Sequence, residues 1–340
     1  MTRSSKSKTN LREKATQELV YTVEPGTLEL FVPSDALAQV RADEQRAIPA
    51  LARDLKAVQA IESVVHRLPT HHDLRQSDSR CMNDIPDESV HLAVTSPPYW
   101  NLKAYPQQEG QLGLVNSYED FLAELDKVWR HVLRVLVPGG RLVVVVGDVC
   151  LARRTFGRHV VFPLHSSIQE QCRKTGFDNL APIIWYKITN AQHEVENGSK
   201  FLGKPYEPNA IIKNDIEYIL FQRKPGGYRQ PGLAARILSV IPQAYYQEWF
   251  QQIWTLPGAS TRQHPAPFPL ALAERLVRMF SFVDDTVLDP FMGTGTTNVA
   301  ARRWGRHSIG LDIEPRYVDM ARLRLQRASQ RQYAFVGLGA

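Results

Sequence analysis

The chain reads as an α/β protein, a mostly parallel sheet with helices on both faces, forming one large core with appended elements. Three stretches predict this. Leu92-Ala93-Val94 is an apolar strand that runs into Thr95-Ser96-Pro97-Pro98-Tyr99-Trp100. Val287-Leu288-Asp289 is another, followed by a glycine-bearing loop and a helix, and Leu142 to Val146 is apolar throughout, as in a parallel sheet covered on both faces. With 340 residues and 43% hydrophobic content, the chain can bury such a core.

Along the chain, residues 1–32 form a basic, flexible tail in which Arg3, Lys6, Lys8, Arg12 and Lys14 are opposed by Glu13. Residues 33–68 form a helical brace: Leu37, Val40, Leu51, Leu55, Val58, Ile61 and Val65 recur at helical spacing, and Pro49 breaks the run in two. The brace packs on the domain or on a second subunit. His71-His72 has no further ligands at metal-binding spacing and reads as a surface turn, so no metal is expected.

Residues 69–223 hold the first half of the main domain. It opens with a strand from Leu74 to Asp78, a helix from Cys81 to Ile85, the turn Pro86-Asp87-Glu88-Ser89 and the strand entered at Val90. A polar loop from Asn101 to Gly113 follows, then a helix from Tyr118 to Leu136, the turn Pro138-Gly139-Gly140 and a strand from Arg141 to Val146 ending at Gly147-Asp148. Arg153, Arg154, Arg158 and His159 form a basic loop, and strands follow at Pro182 to Tyr186 and Ile216 to Gln222. The polar insertion 190–214 between them is too long for an ordinary connection. Residues 263–330 return to the sheet through a helix from Leu270 to Phe280, the strand ending at Asp289, and a last strand and helix reaching Arg327; residues 331–340 are a tail.

The chemistry sits in two motifs. Pro97 and Pro98 fix the backbone and donate no hydrogen bond, so nearby carbonyls stay available as acceptors. With the Ser96 hydroxyl and the rings of Tyr99 and Trp100, they suit an exocyclic amine on a planar heterocycle. Taken alone, such a run is more often an edge strand ending in a turn. In the second motif, Asp289-Pro290-Phe291-Met292-Gly293-Thr294-Gly295 lets a ligand approach the backbone, and the helix begun by Thr296 or Thr297 presents unpaired N–H groups. The loop has neither the dinucleotide fingerprint nor a phosphate-binding GK[ST]. Further on, Asp312 ends another strand, where an acid accepts from ribose hydroxyls and Ile313 packs on a base; an acid there can also be only a helix cap.

Three further groups matter. Asp78, at the end of the first strand, is placed to accept from an amino group or to cap a turn. Asp148 is expected beside Ser96, bonded to it or to the target amine, or else holding loop amides. Net charge is +6, which favours a polyanionic partner. Residues 224–262 carry Lys224, Arg229, Arg236 and Arg262 interleaved with Tyr228, Tyr245, Tyr246, Trp249, Phe250 and Trp254, with Glu248 as the acid. This suits phosphates and base edges, or a helical cap whose rings are core. No apolar run approaches membrane length and no apolar targeting core follows Met1, which predicts a cytoplasmic protein.

Together the two motifs resemble the S-adenosylmethionine-dependent amino-methyltransferases of DNA. Thr95-Ser96-Pro97-Pro98-Tyr99-Trp100 looks like that family's [D/N/S]-P-P-[Y/F/W] motif, and Asp289 to Gly295 looks like its D-P-F-x-G-x-G cofactor loop. His264-Pro265-Ala266-Pro267-Phe268-Pro269 and Ser77-Asp78 are similar to two more of its segments. The order, catalytic motif first and cofactor loop last, is that of the β group. The resemblance implies a Rossmann-like class I sheet of seven mostly parallel strands in permuted order, with the catalytic and cofactor strands adjacent.

It also implies roles. Ser96, Pro97, Pro98 and Tyr99, with Asp148, are the catalytic candidates. Asp78, Thr95, Asp289, Phe291, Gly293, Gly295, Thr296, Asp312 and Ile313 are the candidates for S-adenosylmethionine. Arg153, Arg154, Arg223, Lys224, Arg229 and Arg236 are the candidates for DNA. A serine ahead of the prolines goes in that family with N4 of cytosine and an aspartate with N6 of adenine, though with exceptions. Cys81, Cys150 and Cys172 do not follow a proline, so the Pro-Cys nucleophile of carbon-5 methylation is missing. The expected partners are double-stranded DNA, with its target base flipped out, and a cognate restriction endonuclease, in a bacterial or archaeal cytoplasm, as monomer or homodimer. Adenine-N6 methylation, methylation of structured RNA or protein, and non-catalytic DNA binding are the alternatives.

Overall fold

The computed structural model describes residues 27–100, 108–187, 203, 205, 214–259 and 268–336. The basic run from Arg3 to Lys14, the loop residues 101–107, nearly all of the 190–214 insertion and His264 to Pro267 therefore lie outside the described residues.

The N-terminal helices are α1 (Ser34–Ala42), α2 (Glu44–Arg53) and α3 (Leu55–Val65). The expectation of two helices parted at Pro49 does not hold, because aspartates decide the breaks. Asp43 and Asp54 have extended backbones and cap the next helix: Asp43 accepts from the Arg46 N–H at 3.2 Å and Asp54 from the Lys56 N–H at 2.8 Å. Pro49 sits inside α2. The brace packs on its own chain, since Val40, Leu51, Ile61, Val65 and Leu68 share a core with Ile237, Leu238 and Val283.

Then come β1 (His72–Gln76), β2 (Val90–Thr95), α4 (Tyr118–Val135), β3 (Leu136–Val146), β4 (Val149–Leu151), α5 (Arg153–Phe156), β5 (Val160–Phe162), α6 (Leu164–Thr175), β6 (Asp178–Tyr186) and β7 (Ile216–Arg223). After them lie α7 (Leu233–Leu238), α8 (Gln243–Trp249), β8 (Ile253–Thr255), α9 (Leu270–Phe280), β9 (Thr286–Asp289), α10 (Thr296–Arg303), β10 (His307–Asp312) and α11 (Pro315–Val336). The main sheet has the order β1-β10-β9-β2-β3-β7-β6-β8, and β7 alone among these runs against the rest. It is a Rossmann-like class I sheet with eight strands where seven were expected. The additional strand, β8, comes from the segment read as target recognition.

Smaller expectations also change. The first strand stops at Gln76, which leaves Asp78 in the loop beyond it, and residues 81–85 form turns instead of a helix. Pro138-Gly139-Gly140 is no free turn: β3 runs through it, with a register break opposite β2 between Val90 and Leu92 and with Gly139 at φ +76. The basic loop after Asp148 is an antiparallel hairpin, β4 with β5, carrying α5 at its tip. The last helix extends past Arg327 to Val336.

The sheet is buried on both faces. Val90, Ala93, Leu142 and Val144 meet Phe121, Leu125, Trp129 and Val132 of α4, while Leu92, Val94, Val143 and Val145 meet Leu272, Leu276 and Val277 of α9. From β2 the chain winds toward β3, and from β9 it winds the other way to β10, so the switch point lies between β9 and β2. A doubly wound sheet opens a crevice there, at the C-terminal ends of the strands.

One core residue lacks partners. Gln222 on β7 is fully buried, and neither amide atom has a hydrogen-bond partner among the described residues. Unpaired buried amides cost about 1–3 kcal/mol. The Gln222→Met protein, of similar length, is expected to unfold at a higher denaturant midpoint, by about 1 kcal/mol at an unchanged slope.

Candidate active site

Strands β2 and β9 pair in parallel, Leu92 opposite Val287 and Ala93 opposite Leu288, so their ends arrive together. There the Thr95 hydroxyl donates to Asp289 Oδ1 at 2.7 Å, and the Phe291 N–H donates to the same oxygen at 3.1 Å. Asp289 is 1% exposed. Burial pushes its carboxyl up to about 6, against the pull of hydrogen bonds from Thr95, Thr297 and the Phe291 N–H, with the Asp312 charge adding to the rise. This carboxylate ties the two motifs together from inside.

Beyond the knot opens a cleft lined by Asp78, Ser96, Pro97, Pro98, Phe291, Asp312 and Ile313 of the assigned residues, together with Ser77, Ser79, Gly110, Gln111, Leu112, Pro290 and Tyr317. Thr95, Asp289, Gly293, Gly295, Thr296, Tyr99 and Asp148 are outside this lining. The Gly293 N–H donates to Asp312 Oδ2 at 2.9 Å, and the Glu314 N–H donates to Oδ1 at 2.9 Å. Burial raises the Asp312 carboxyl to about 6 despite those backbone donors, with the Glu314 charge adding to the rise. Gly295 takes φ +77, where an added Cβ would sit 2.7 Å from the Ala321 Cβ of α11. The Thr296 hydroxyl accepts from Arg324 at 3.2 Å.

The opposite corner is built around Asp78. Burial alone would raise its carboxyl, but hydrogen bonds and charge from Arg80 outweigh it and hold it below its ordinary range. Arg80 also reaches Glu124 and donates to the Gly110 carbonyl at 3.2 Å, and the Ser79 hydroxyl donates to the Pro290 carbonyl. The Ser79 bond fastens the loops after β1 and β9 to each other, and Arg80 ties the first of them to α4 and to Gly110.

In the Pro-Pro turn, the Ser96 hydroxyl points to the Tyr99 hydroxyl at 3.5 Å. Trp100 holds φ +46, a sparsely populated conformation for a bulky residue, and is anchored there: its indole N–H donates to the Val115 carbonyl at 2.8 Å, and its ring meets Tyr118 and Phe162 edge-on. Its face is therefore taken by protein and does not serve as a stacking platform. Asp148 follows β3 beside this turn, yet its carboxylate accepts from His165 Nδ1 at 2.6 Å, not from Ser96, and His165 stacks on Tyr218 with centroids 3.8 Å apart.

The basic residues separate into two groups. Arg153 and Arg154 are exposed on the hairpin beyond the cleft end of β3. Arg223, the last residue of β7, pairs with Arg141 of β3, well before the end of β3 that lies beside Thr95, so it and Lys224 lie away from Ser96 toward the other end of the sheet. There Arg223 meets Asp178 at 2.8 Å, Lys224 meets Glu88 at 3.0 Å, Arg229 grips Asp285 just before β9, and Arg236 meets Glu44 of the brace. These four do not gather at the cleft, and as a recognition face around it they are withdrawn.

The model of the DNA methylase family matches residues 90–323. The chain belongs to that family. It is a DNA amino-methyltransferase of the β group that uses S-adenosyl-L-methionine. The methylase is 37% identical over 278 residues to Type II methyltransferase M.MjaI of Methanocaldococcus jannaschii, covering 73% of this chain and 88% of that one. It is 33% identical over 283 residues to M.MthZI of Methanothermobacter thermautotrophicus, covering 76% and 77%. Among solved structures, TTHA0409 of Thermus thermophilus in complex with S-adenosyl-L-methionine is 54% identical, covers 77% of the methylase and 95% of its own chain, and superposes with a TM-score of 0.63. PvuII DNA methyltransferase shares the fold at 19% identity and a TM-score of 0.55.

The cleft of the methylase suits that cofactor on its own residues: a buried acceptor at Asp312, apolar faces at Phe291 and Ile313, an acceptor at Asp78, and no side chain at Gly110. Ser79, Arg80, Tyr317, His165 and Tyr218 were not singled out by sequence reasoning. The first three adjoin assigned acids and could have been sought there, whereas His165 and Tyr218 meet Asp148 only through the fold.

Gly110 sets the width of the cleft. It holds φ +82, and an added Cβ would stand 2.9 Å from Ile313 Cδ1 and 2.9 Å from Arg80 Nη2. A left-handed backbone costs a non-glycine residue about 1–2 kcal/mol. Gly110→Ala is expected to bind S-adenosyl-L-methionine roughly tenfold more weakly by calorimetry, with its fold intact by circular dichroism.

Proposed function

We propose that the methylase transfers the cofactor's methyl group to N4 of a cytosine flipped out of duplex DNA, as the modification partner of a restriction endonuclease. The observation that carries this is Ser96 in the lining of the cleft that Asp312 closes on its other side. A serine ahead of the two prolines favours cytosine over adenine in this family. The names of the Type II relatives support the restriction partner.

S-adenosyl-L-methionine supplies a methyl group already activated on a sulfonium sulfur. What the chain must add is position and dryness. Asp312, held by the Gly293 and Glu314 N–H groups, accepts from ribose hydroxyls; Ile313 and Phe291 cover apolar faces; Asp78 accepts from the adenine amine. The target amine is a poor nucleophile because its lone pair is delocalised into the ring. The Ser96 hydroxyl directs its proton toward Tyr99, which leaves the Ser96 oxygen and the Pro97 carbonyl to accept both amine hydrogens and draw the nitrogen toward tetrahedral geometry. Asp148, oriented by His165, stands outside the cleft lining, and its negative charge favours the cationic amine from there.

Duplex DNA approaches from the same end of the sheet. Arg153 and Arg154 face it from the hairpin and contact phosphates. Lys187 and Asn214 flank the polar insertion and sit at the cleft ends of β6 and β7, and β8 ends at Thr255 beside Tyr186, so base readout is assigned to the segments that leave the sheet there and not to residues 224–250.

Digestion of DNA treated with the methylase, followed by nucleoside mass spectrometry, is expected to give N4-methylcytosine; N6-methyladenine as sole product would overturn the cytosine assignment. Ser96→Ala should slow transfer by roughly a hundredfold or more while cofactor affinity stays within about twofold. Unaltered turnover removes Ser96 from the mechanism.

Asp312 gives a pH dependence. Ribose hydroxyls donate more strongly to the charged carboxylate than to the protonated acid, so cofactor affinity should be constant above neutral pH and fall as pH drops through about 6. Below that, the loss approaches tenfold per pH unit. Asp312→Asn should bind weakly at all pH values with a flattened profile, and a wild-type profile in this variant would exclude the role.

A further inference from the structure

At the end of the sheet remote from the cleft lies a second cavity, about 970 Å³ including its open mouth, which also uses the basic segment that the methyl transfer leaves unexplained. Arg141, Arg223, Arg229 and Arg278 line it, with Phe280 and Tyr228 among the aromatic walls and no Asp or Glu in the lining. Behind the wall, Asp178 meets Arg223 at 2.8 Å, Asp285 meets Arg229 at 2.7 Å, and Glu62 meets Arg278 at 2.8 Å. These acids match those arginines one for one. Arg141 is left over: it has no hydrogen-bond or ion-pair partner among the described residues.

Its position makes this odd. Arg141 stands directly across the strands from Arg223, and like charges placed so repel. Its guanidinium is half-buried over the Phe280 ring, 5.9 Å from the centroid, so it is held at the cavity and not free in solvent. Burial and the Arg223 charge both push its pKa down. His91 supplies no anion and adds no cation: its Nδ1 accepts from the Thr286 N–H at 3.0 Å, and burial lowers its pKa.

We propose that this cavity is a phosphate-binding site in which the guanidinium groups of Arg141 and Arg223 hold the phosphate of a small anion, inorganic phosphate or a mononucleotide. A planar guanidinium matches phosphate oxygens in pairs, and a dianion turns the Arg141–Arg223 repulsion into a bridge. Tyr228, 90% exposed at the mouth, and Phe282 in the lining offer faces to a base if the phosphate carries one. A recessed cavity suits a terminal phosphate better than the diesters of a duplex. The site is independent of the methyl-transfer cleft.

The test uses the full chain and isothermal titration with inorganic phosphate and, separately, with a nucleoside 5′-monophosphate, at constant ionic strength set with chloride. Saturable phosphate binding is expected, weakened at least tenfold in Arg141→Gln, while methyl transfer by that variant stays at the wild-type rate. Without phosphate, Arg141→Gln should melt no lower than wild type, because the repulsion is gone, which separates loss of a site from loss of fold. Tighter binding of the nucleotide than of phosphate makes the ligand a nucleotide; equal binding makes it free phosphate. No saturable binding of either probe, or binding unchanged in Arg141→Gln, overturns the proposal.

Discussion

The bond from Thr95 to Asp289 joins the halves of this methylase. The catalytic turn and the cofactor loop are far apart in the chain, and each alone is a strand with an unusual ending. Parallel pairing of β2 with β9 brings them side by side, and the 2.7 Å hydrogen bond at the strand ends fixes how they face each other. Because Asp289 is buried, it depends on its donors: without Thr95 and the Phe291 N–H, an ionised carboxylate there would be strongly destabilising. The acid of the cofactor loop thus acts as structure, and Asp312 and Asp78 are the acids that face the cleft.

The same logic of distant partners divides the molecule by charge. At the cleft end, arginines stand exposed on a hairpin. At the far end they are paired with Asp178, Asp285, Glu62 and Glu44, which brace β6, β9 and the N-terminal helices against the core. Removing one partner of such a pair where it is buried, as at Asp285, leaves an uncompensated charge, so the Arg229–Asp285 pair is a structural commitment more than binding surface.

This is also why the sequence was legible in parts. Both motifs, α4 and α9 could be read because each rests on short-range signals, apolar periodicity and prolines that end a strand; the adjacency of β2 and β9 came with the family resemblance. The brace was misdivided because Pro49 looks like a breaker, while the two capping aspartates, Asp43 and Asp54, set the actual ends. Interleaved basic and aromatic residues from 224 onward looked like a nucleic-acid face because their acidic partners come from remote positions. Trp249 and Trp254 are core and β8 enters the sheet, whereas Tyr228, Tyr245, Tyr246 and Phe250 stay exposed. Asp148 was placed correctly at the end of β3, but its partner His165 becomes visible only once α6 is packed.

The central claim, that one buried hydrogen bond couples the catalytic strand to the cofactor strand, is tested most directly by a double-mutant cycle. The stabilities of wild type, Thr95→Val, Asp289→Asn and the double variant would be measured by denaturant unfolding. A coupling energy of about 1.5–3 kcal/mol, as for a hydrogen bond to a charged group, is the expected result. Additivity within about 0.5 kcal/mol would contradict it.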